Sequence, residues 1–205
     1  MIDYLLMVVL IFALLAVLII YVIYRWYRVY LKSQEIKASD GKAKVLKKPV
    51  PRYQLQFGSS YLLLEPKSAE SFKLFKSYIS QGNQGLLITR IFPGKVRKQY
   101  NLGNTPVLWL SRTQAKKAIN PTNLGVLLEE ARDFIADNNR TLILLDGLEY
   151  LIIENDFERV LKFINSLEDE IALHNSRLIV SVNPKVLDPE RKALLEKTMK
   201  VLLEA

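Results

Sequence analysis

The chain has 205 residues, half of them apolar, with 29 Lys plus Arg against 21 Asp plus Glu and a formal net charge of +8. That length holds one ordinary domain with something beside it, and the composition is too apolar for a disordered chain. The lack of cysteine and the single histidine, His174, exclude a disulfide framework, a Cys-based zinc or iron–sulfur site, a cysteine nucleophile and any multi-histidine metal cluster.

Much of the apolar content is concentrated at the start. Residues 4–24 read YLLMVVLIFALLAVLIIYVIY, 21 positions without a charge, a glycine or a proline. As a helix rising roughly 1.5 Å per residue this run reaches about 31 Å, the thickness of a bilayer core. Tyr4 stands at one end and Tyr21, Tyr24, Trp26 and Tyr27 at the other, where amphipathic rings meet lipid headgroups. A cleaved signal peptide would open on basic residues and end on small ones, whereas here only Asp3 precedes the run and Arg25 follows it. The pattern predicts a single-pass transmembrane helix over residues 1–24. Arg25, Arg28 and Lys32 come directly after it, with no Lys or Arg before it. This asymmetry predicts an N-terminus outside the cell membrane, a cytoplasmic C-terminal domain and a membrane-proximal basic patch facing the lipid bilayer.

Residues 25–52 form a basic juxtamembrane linker with nine basic and two acidic side chains, a net of +7. Ser39, Asp40, Gly41, Pro49 and Pro51 argue that its latter part is irregular. The cytoplasmic domain, residues 53–205, is nearly neutral with 20 basic and 18 acidic side chains, so the overall +8 is no signal for nucleic acid. Its halves differ: residues 53–125 carry +8 and residues 126–205 carry −6. A surface divided in this way suits a charged protein partner or head-to-tail self-association.

Within that domain five short apolar runs read as buried strands: Tyr61 to Glu65, Gly85 to Thr89, Pro106 to Leu110, Thr141 to Asp146 and Arg177 to Val182. Helical patterns lie between them. Ser68 is placed to cap a helix with Phe72, Phe75, Tyr78 and Ile79 turned inward, ending near Gly82. Asn120 and Pro121 are placed to open a second helix carrying Leu124, Leu127, Leu128, Ala131 and Ile135. Asn155 and Glu158 have the spacing of a capping box for a third, and a last helix is predicted from Pro189 to Leu203. Strands alternating with helices predict an α/β fold: a mainly parallel five-stranded sheet with helices on both faces.

In such sheets ligands bind beyond the carboxyl ends of the strands. The segment TLILLD ends on Asp146, the form of a Walker B strand whose carboxylate helps hold Mg²⁺ in P-loop nucleotidases. Those enzymes also need G-x-x-x-x-G-K-[ST], whose backbone amides cradle the phosphates. The turn after the first strand reads EPKSAES, and Gly94-Lys95 lacks both the upstream glycine and the hydroxyl. Asp146 and Glu149 therefore have no triphosphate site to serve, and the reading of Asp146 is structural, at the turn after a central strand. With Thr89, Arg90, Ser111, Tyr150 and Asn183 they make up a candidate crevice at the strand ends, Thr113 having no more than a rim role. Arg90, Lys95, Arg97 and Lys98, with Tyr100 nearby, form a basic patch that suits a phosphorylated ligand, an acidic partner or simply solvent; no Gly-rich loop organises it. His174 falls at a helix end, and no G-x-S-x-G elbow supports a triad.

The segments SYLLLEPKSAESFKLF, QGLLITRIFPGKVRKQY, TPVLWLS, INPTNL, LLDGLEYLIIENDFERVLKFINSLED and SRLIVSVNPKVLD, in that order, resemble the archaeal family known as domain of unknown function 835, over roughly residues 60–203. The resemblance implies a RecA/KaiC-like core without a P-loop. It implies no activity and, by association with membrane-anchored and sensory relatives, favours an interaction or signalling role. It places the family's recurrent polar positions on Thr89, Arg90, Trp109, Ser111, Asp146, Glu149, Tyr150, Asn155 and Asn183. The expected function is that of a membrane-anchored, non-catalytic module with a protein partner and no cofactor or metal; neither nucleotide nor nucleic acid is an expected partner. The alternatives are a divergent nucleotide-binding ATPase and a membrane-tethered nucleic-acid-binding domain.

Overall fold

A computed structural model describes Tyr21, Tyr24 and residues 53–115, 118–138 and 140–202. The chain divides into two compact units, Met1–Lys47 and Lys48–Ala205. The expected transmembrane segment lies outside the described residues apart from Tyr21 and Tyr24, which are helical and exposed, and the basic linker with Arg25, Arg28 and Lys32 lies outside them too. Among the described residues no helix is long and apolar enough to cross a membrane.

The second unit is an α/β domain built on one parallel sheet. In chain order its elements are β1 (Ser59–Leu64), α1 (Ala69–Ser80), β2 (Gln84–Thr89), α2 (Pro93–Tyr100), β3 (Val107–Leu110), β4 (Ala118–Ile119), α3 (Leu124–Asp137), β5 (Thr141–Asp146), α4 (Leu148–Glu154), α5 (Phe157–Leu173), β6 (Arg177–Val182), a 3-10 turn (Pro184–Val186), α6 (Pro189–Thr198) and β7 (Lys200–Leu202). The strand order is β4-β3-β2-β5-β6-β1-β7, and every pairing is parallel.

The sheet has seven strands, which corrects the expected five. All five apolar runs are strands. The two others, β4 and β7, hold only two and three residues, too few to leave a run in the sequence. β7 also corrects the last helix, which ends at Thr198 where Met199 turns extended (φ −116°, ψ 152°) and carries the chain back to the sheet edge. The short helices α2 and α4 were not foreseen: α2 buries only Val96, and α4 spans seven residues.

Two apolar layers sandwich the sheet because successive strand residues point to opposite faces. Leu62, Ile143, Leu145, Leu178 and Val180 face α3, α4, α5 and α6, while Tyr61, Leu63, Leu87, Leu144 and Ile179 face α1 and α2. Three cap expectations are corrected. α3 starts at Leu124, after Asn123; Asn120 instead closes a local turn, its Oδ1 accepting from the backbone N–H and the hydroxyl of Thr122. Asp156 rather than Asn155 precedes α5, and the Asn155 amide donates to the carbonyls of Pro121 and Leu151. Ser68 stands at the cap position of α1 but makes no side-chain bond to the helix, because its hydroxyl is used elsewhere.

Glu168 on α5 is half-buried beside Ser60 of β1. Burial pushes its carboxyl up to about 7; a hydrogen bond with Ser60 opposes the shift and Asp169 adds to it. A folded-state pKa above the unfolded value means that the folded form holds the proton better, so stability is lost as pH rises from about 4.5 through about 7. Glu168→Gln is therefore expected to raise stability by about 1 kcal/mol at pH 8, a figure discounted for the exposed half of the side chain, and to leave it unchanged near pH 4.5. Urea titrations at the two pH values check this.

Candidate functional site

The carboxyl ends of β1, β2, β5 and β6 meet in a closed network of carboxylates and hydroxyls. β5 ends on Asp146. Its Oδ2 accepts from the Thr89 hydroxyl of β2 at 2.7 Å, and its Oδ1 accepts from the Ser68 hydroxyl in the turn after β1. Ser181 of β6 donates to Glu65 Oε1 at 2.9 Å and lies 3.3 Å from Ser68 Oγ. Glu65 closes the other end: its Oε2 accepts from the N–H of Glu70 at 2.9 Å and its Oε1 from the N–H of Ser71 at 3.1 Å. These are free amides of the first turn of α1, so a buried carboxylate of the chain itself occupies the positive end of that helix.

Burial raises the pKa of Asp146; the Ser68 and Thr89 hydroxyls pull it back, and the Glu149 and Glu65 carboxylates push it further up. Tyr100, stacked on Phe72 with ring centroids 3.9 Å apart, is raised as well, by burial first and by Asp146 second. Gly147 makes the turn from Asp146 into α4 with φ 154°, and a Cβ there would lie 3.0 Å from Leu110 Cδ1, so glycine is the residue that fits without strain.

The other expected site residues are drawn together in pairs. The Arg90 guanidinium lies 4.1 Å from the ring centroid of Tyr150, a cation–π contact. Glu149 Oε1 accepts from the backbone N–H of Asn183 at 2.7 Å. Ser111 stays at the rim, bonded to Thr113. The residues of the basic patch differ in their surroundings: Arg97 is tied to the carbonyl of Thr105, while Lys95 and Lys98 are exposed on α2. Trp109 donates to the carbonyl of Arg90 and meets the exposed ring of Phe92 edge to face. His174 ends α5 with Nδ1 3.1 Å from the Glu170 carbonyl. Among the described residues no three metal-ligating side chains cluster.

A family model described as "Protein of unknown function (DUF835)" matches residues 64–199. The chain belongs to the DUF835 family. The matched span of this DUF835 chain runs from the last residue of β1 to the residue before β7 and includes the whole network. No curated protein matches the sequence. Among solved structures the chain is similar to a KaiC-like protein of Pyrococcus horikoshii, with a TM-score of 0.54 and 11% identity over 79% of this chain and 83% of that one. It is also similar to the flagellar accessory protein FlaH of Methanocaldococcus jannaschii, with a TM-score of 0.51 and 17% identity over 72% and 71% of the two chains. At such identities the likeness is one of fold: this DUF835 domain has a RecA/KaiC-like core.

Sequence reasoning placed Asp146 and Thr89 at the strand ends and missed Glu65, Ser68 and Ser181, which complete the network. The signal for Glu65 was a charged residue directly ending an apolar strand and followed by a helix start, the place where a carboxylate reaches free amides.

Proposed function

We propose that the chain is a membrane-anchored, non-catalytic module with a RecA/KaiC-like core, used for protein interaction or signalling at the cytoplasmic face of the membrane. The observation that carries this reading is the carboxylate of Glu65 on the amides of α1. In a nucleotidase of the P-loop kind, the helix after the first strand offers these amides to a phosphate through a glycine-rich loop. Here the turn is Glu65-Pro66-Lys67-Ser68, and the chain's own anion fills the place. Asp146, the carboxylate that would serve Mg²⁺, has both oxygens committed to hydroxyl donors. The apolar run over residues 4–24 and the basic residues after it support the anchor and its orientation.

Titration of the purified chain with ATP and Mg²⁺ in a calorimeter is expected to give no saturable heat. Micromolar binding, or hydrolysis abolished by Asp146→Ala, would overturn the non-catalytic reading. The full chain is expected to sediment with membranes and to be released by deletion of residues 4–24; a chain that stays soluble throughout would remove the anchor.

A further inference from the structure

Strand order sets the residues that follow each strand side by side along the carboxyl edge of the sheet. β2, β5 and β6 are neighbours there, so Arg90, directly after β2, and Lys185, in the turn after β6, flank the end of β5. Their strands are two spacings apart, about 10 Å, and both side chains are exposed. The carboxylates of the same edge are already used: Glu65 by the amides of α1 and by Ser181, Asp146 by the hydroxyls of Ser68 and Thr89, and Glu149 by the N–H of Asn183. Acids are turned inward here and bases outward.

Arg90 is held without being satisfied. Its guanidinium lies over the Tyr150 ring, yet among the described residues its side chain makes no ion pair and no hydrogen bond. After the neighbouring strand β3, Arg112 shows the alternative, paired with the Glu154 carboxylate. A guanidinium presents its N–H donors as a planar fork that matches a carboxylate. Two residues on from Arg90, Phe92 is 58% exposed and meets Trp109 edge to face. An unsatisfied fork fixed on a ring, a second free cation and an exposed aromatic thus share one edge.

We propose that this edge binds an acidic segment of a protein partner: one Glu or Asp carboxylate takes the Arg90 fork, a second acid takes Lys185, and an apolar side chain of the same segment covers Phe92. Because Tyr150 already places the guanidinium, little side-chain freedom is lost on binding. Residues 53–205 carry 20 basic and 18 acidic side chains, and Glu65, Asp146 and Glu149 lie on the same edge as the cations. A nucleic-acid backbone or an anionic lipid surface would therefore meet no broad positive field, whereas a single carboxylate needs only the local fork. Such a partner presupposes the protein-interaction reading. A saturable heat with ATP would remove that reading, while loss of peptide binding alone removes only this surface.

The test uses the full chain in detergent and a fluorescent eight-residue peptide of alternating glutamate and leucine, read by anisotropy in about 150 mM salt. Saturable binding is expected, at least tenfold tighter than for the same peptide with lysine in place of glutamate. Arg90→Glu is expected to weaken it tenfold or more, and Arg90→Lys to weaken it less but clearly, because lysine keeps the charge and loses the fork. Lys162→Glu, an exposed charge reversal on α5, is expected to leave it unchanged. The proposal is overturned if the glutamate peptide does not bind, if Arg90→Glu or Arg90→Lys binds it as well as the native chain, if Lys162→Glu weakens binding as much as Arg90→Glu, or if an eight-nucleotide oligothymidylate binds more tightly than the peptide.

Discussion

Glu65→Ala is expected to destabilise the domain by about 3 kcal/mol, since the change strands two helix amides that have no other acceptor and leaves the Ser181 hydroxyl only its longer contact with Ser68. The amides of Glu70 and Ser71 lose their partner together, and the Ser181 hydroxyl loses its 2.9 Å acceptor. A surface helix cap is worth about 1 kcal/mol, because water replaces the lost side chain. This cap is buried, so the desolvation cost of each donor is exposed in full. For a domain of this size the fall in Tm should be roughly 6 to 12 °C. Glu65→Gln keeps one acceptor but turns an NH₂ group toward a second donor, and should lie between the two. Urea denaturation of the three forms, with unchanged m-values, checks the order; an alanine variant as stable as the native chain would remove Glu65 from its structural role.

Gly85→Val should cost a similar amount, about 3 kcal/mol, by overpacking rather than by lost hydrogen bonds. A Cβ at position 85 would lie 2.5 Å from Ile79 Cγ2 and 2.8 Å from Phe75 Cζ, and valine adds two further methyl groups. Phe75 is fully buried and has no space to withdraw into. Nor is α1 free to move outward as a unit. Its first turn is held by Glu65, and at its far end the Tyr78 hydroxyl accepts from the N–H of Leu55 and donates to the carbonyl of Tyr53. Thermal unfolding followed by circular dichroism reads the loss. A valine variant with native Tm would show that the helix is looser on the sheet than these contacts require.

What the sequence made legible follows from how local each feature is. The five longer strands were readable because burial on both faces demands unbroken apolar runs, and TLILLD carries that demand to its last residue before Asp146. β4 and β7 were not, since strands of two or three residues are set by the neighbour they pair with rather than by their own pattern. Cap assignments failed at Asn120, Asn155 and Ser68 because each side chain had a partner elsewhere that outcompeted the helix end. The site divides along the same line. Asp146 and Thr89 stand at strand ends that can be counted from the runs. Their connection to Glu65, Ser68 and Ser181 depends on β1 and β5 both flanking β6, a fact of strand order that no local window contains.

That strand order also decides when the domain can close during synthesis. β1 lies between β6 and β7, with Ser59 opposite Arg177 and Tyr61 opposite Lys200. The apolar segment YLLL therefore leaves the ribosome about 118 positions ahead of its nearest pairing partner and waits longer still for the second. β2, β3 and β5 can assemble among themselves meanwhile, with α1 packed on β2 and β5, but β1 has no strand beside it until the last fifth of the domain appears. Pairings so far apart in sequence slow folding and leave the early apolar strand exposed meanwhile. A nascent chain stopped before residue 177 would carry the whole of α1 and much of the sheet, and still be unable to seat its first strand.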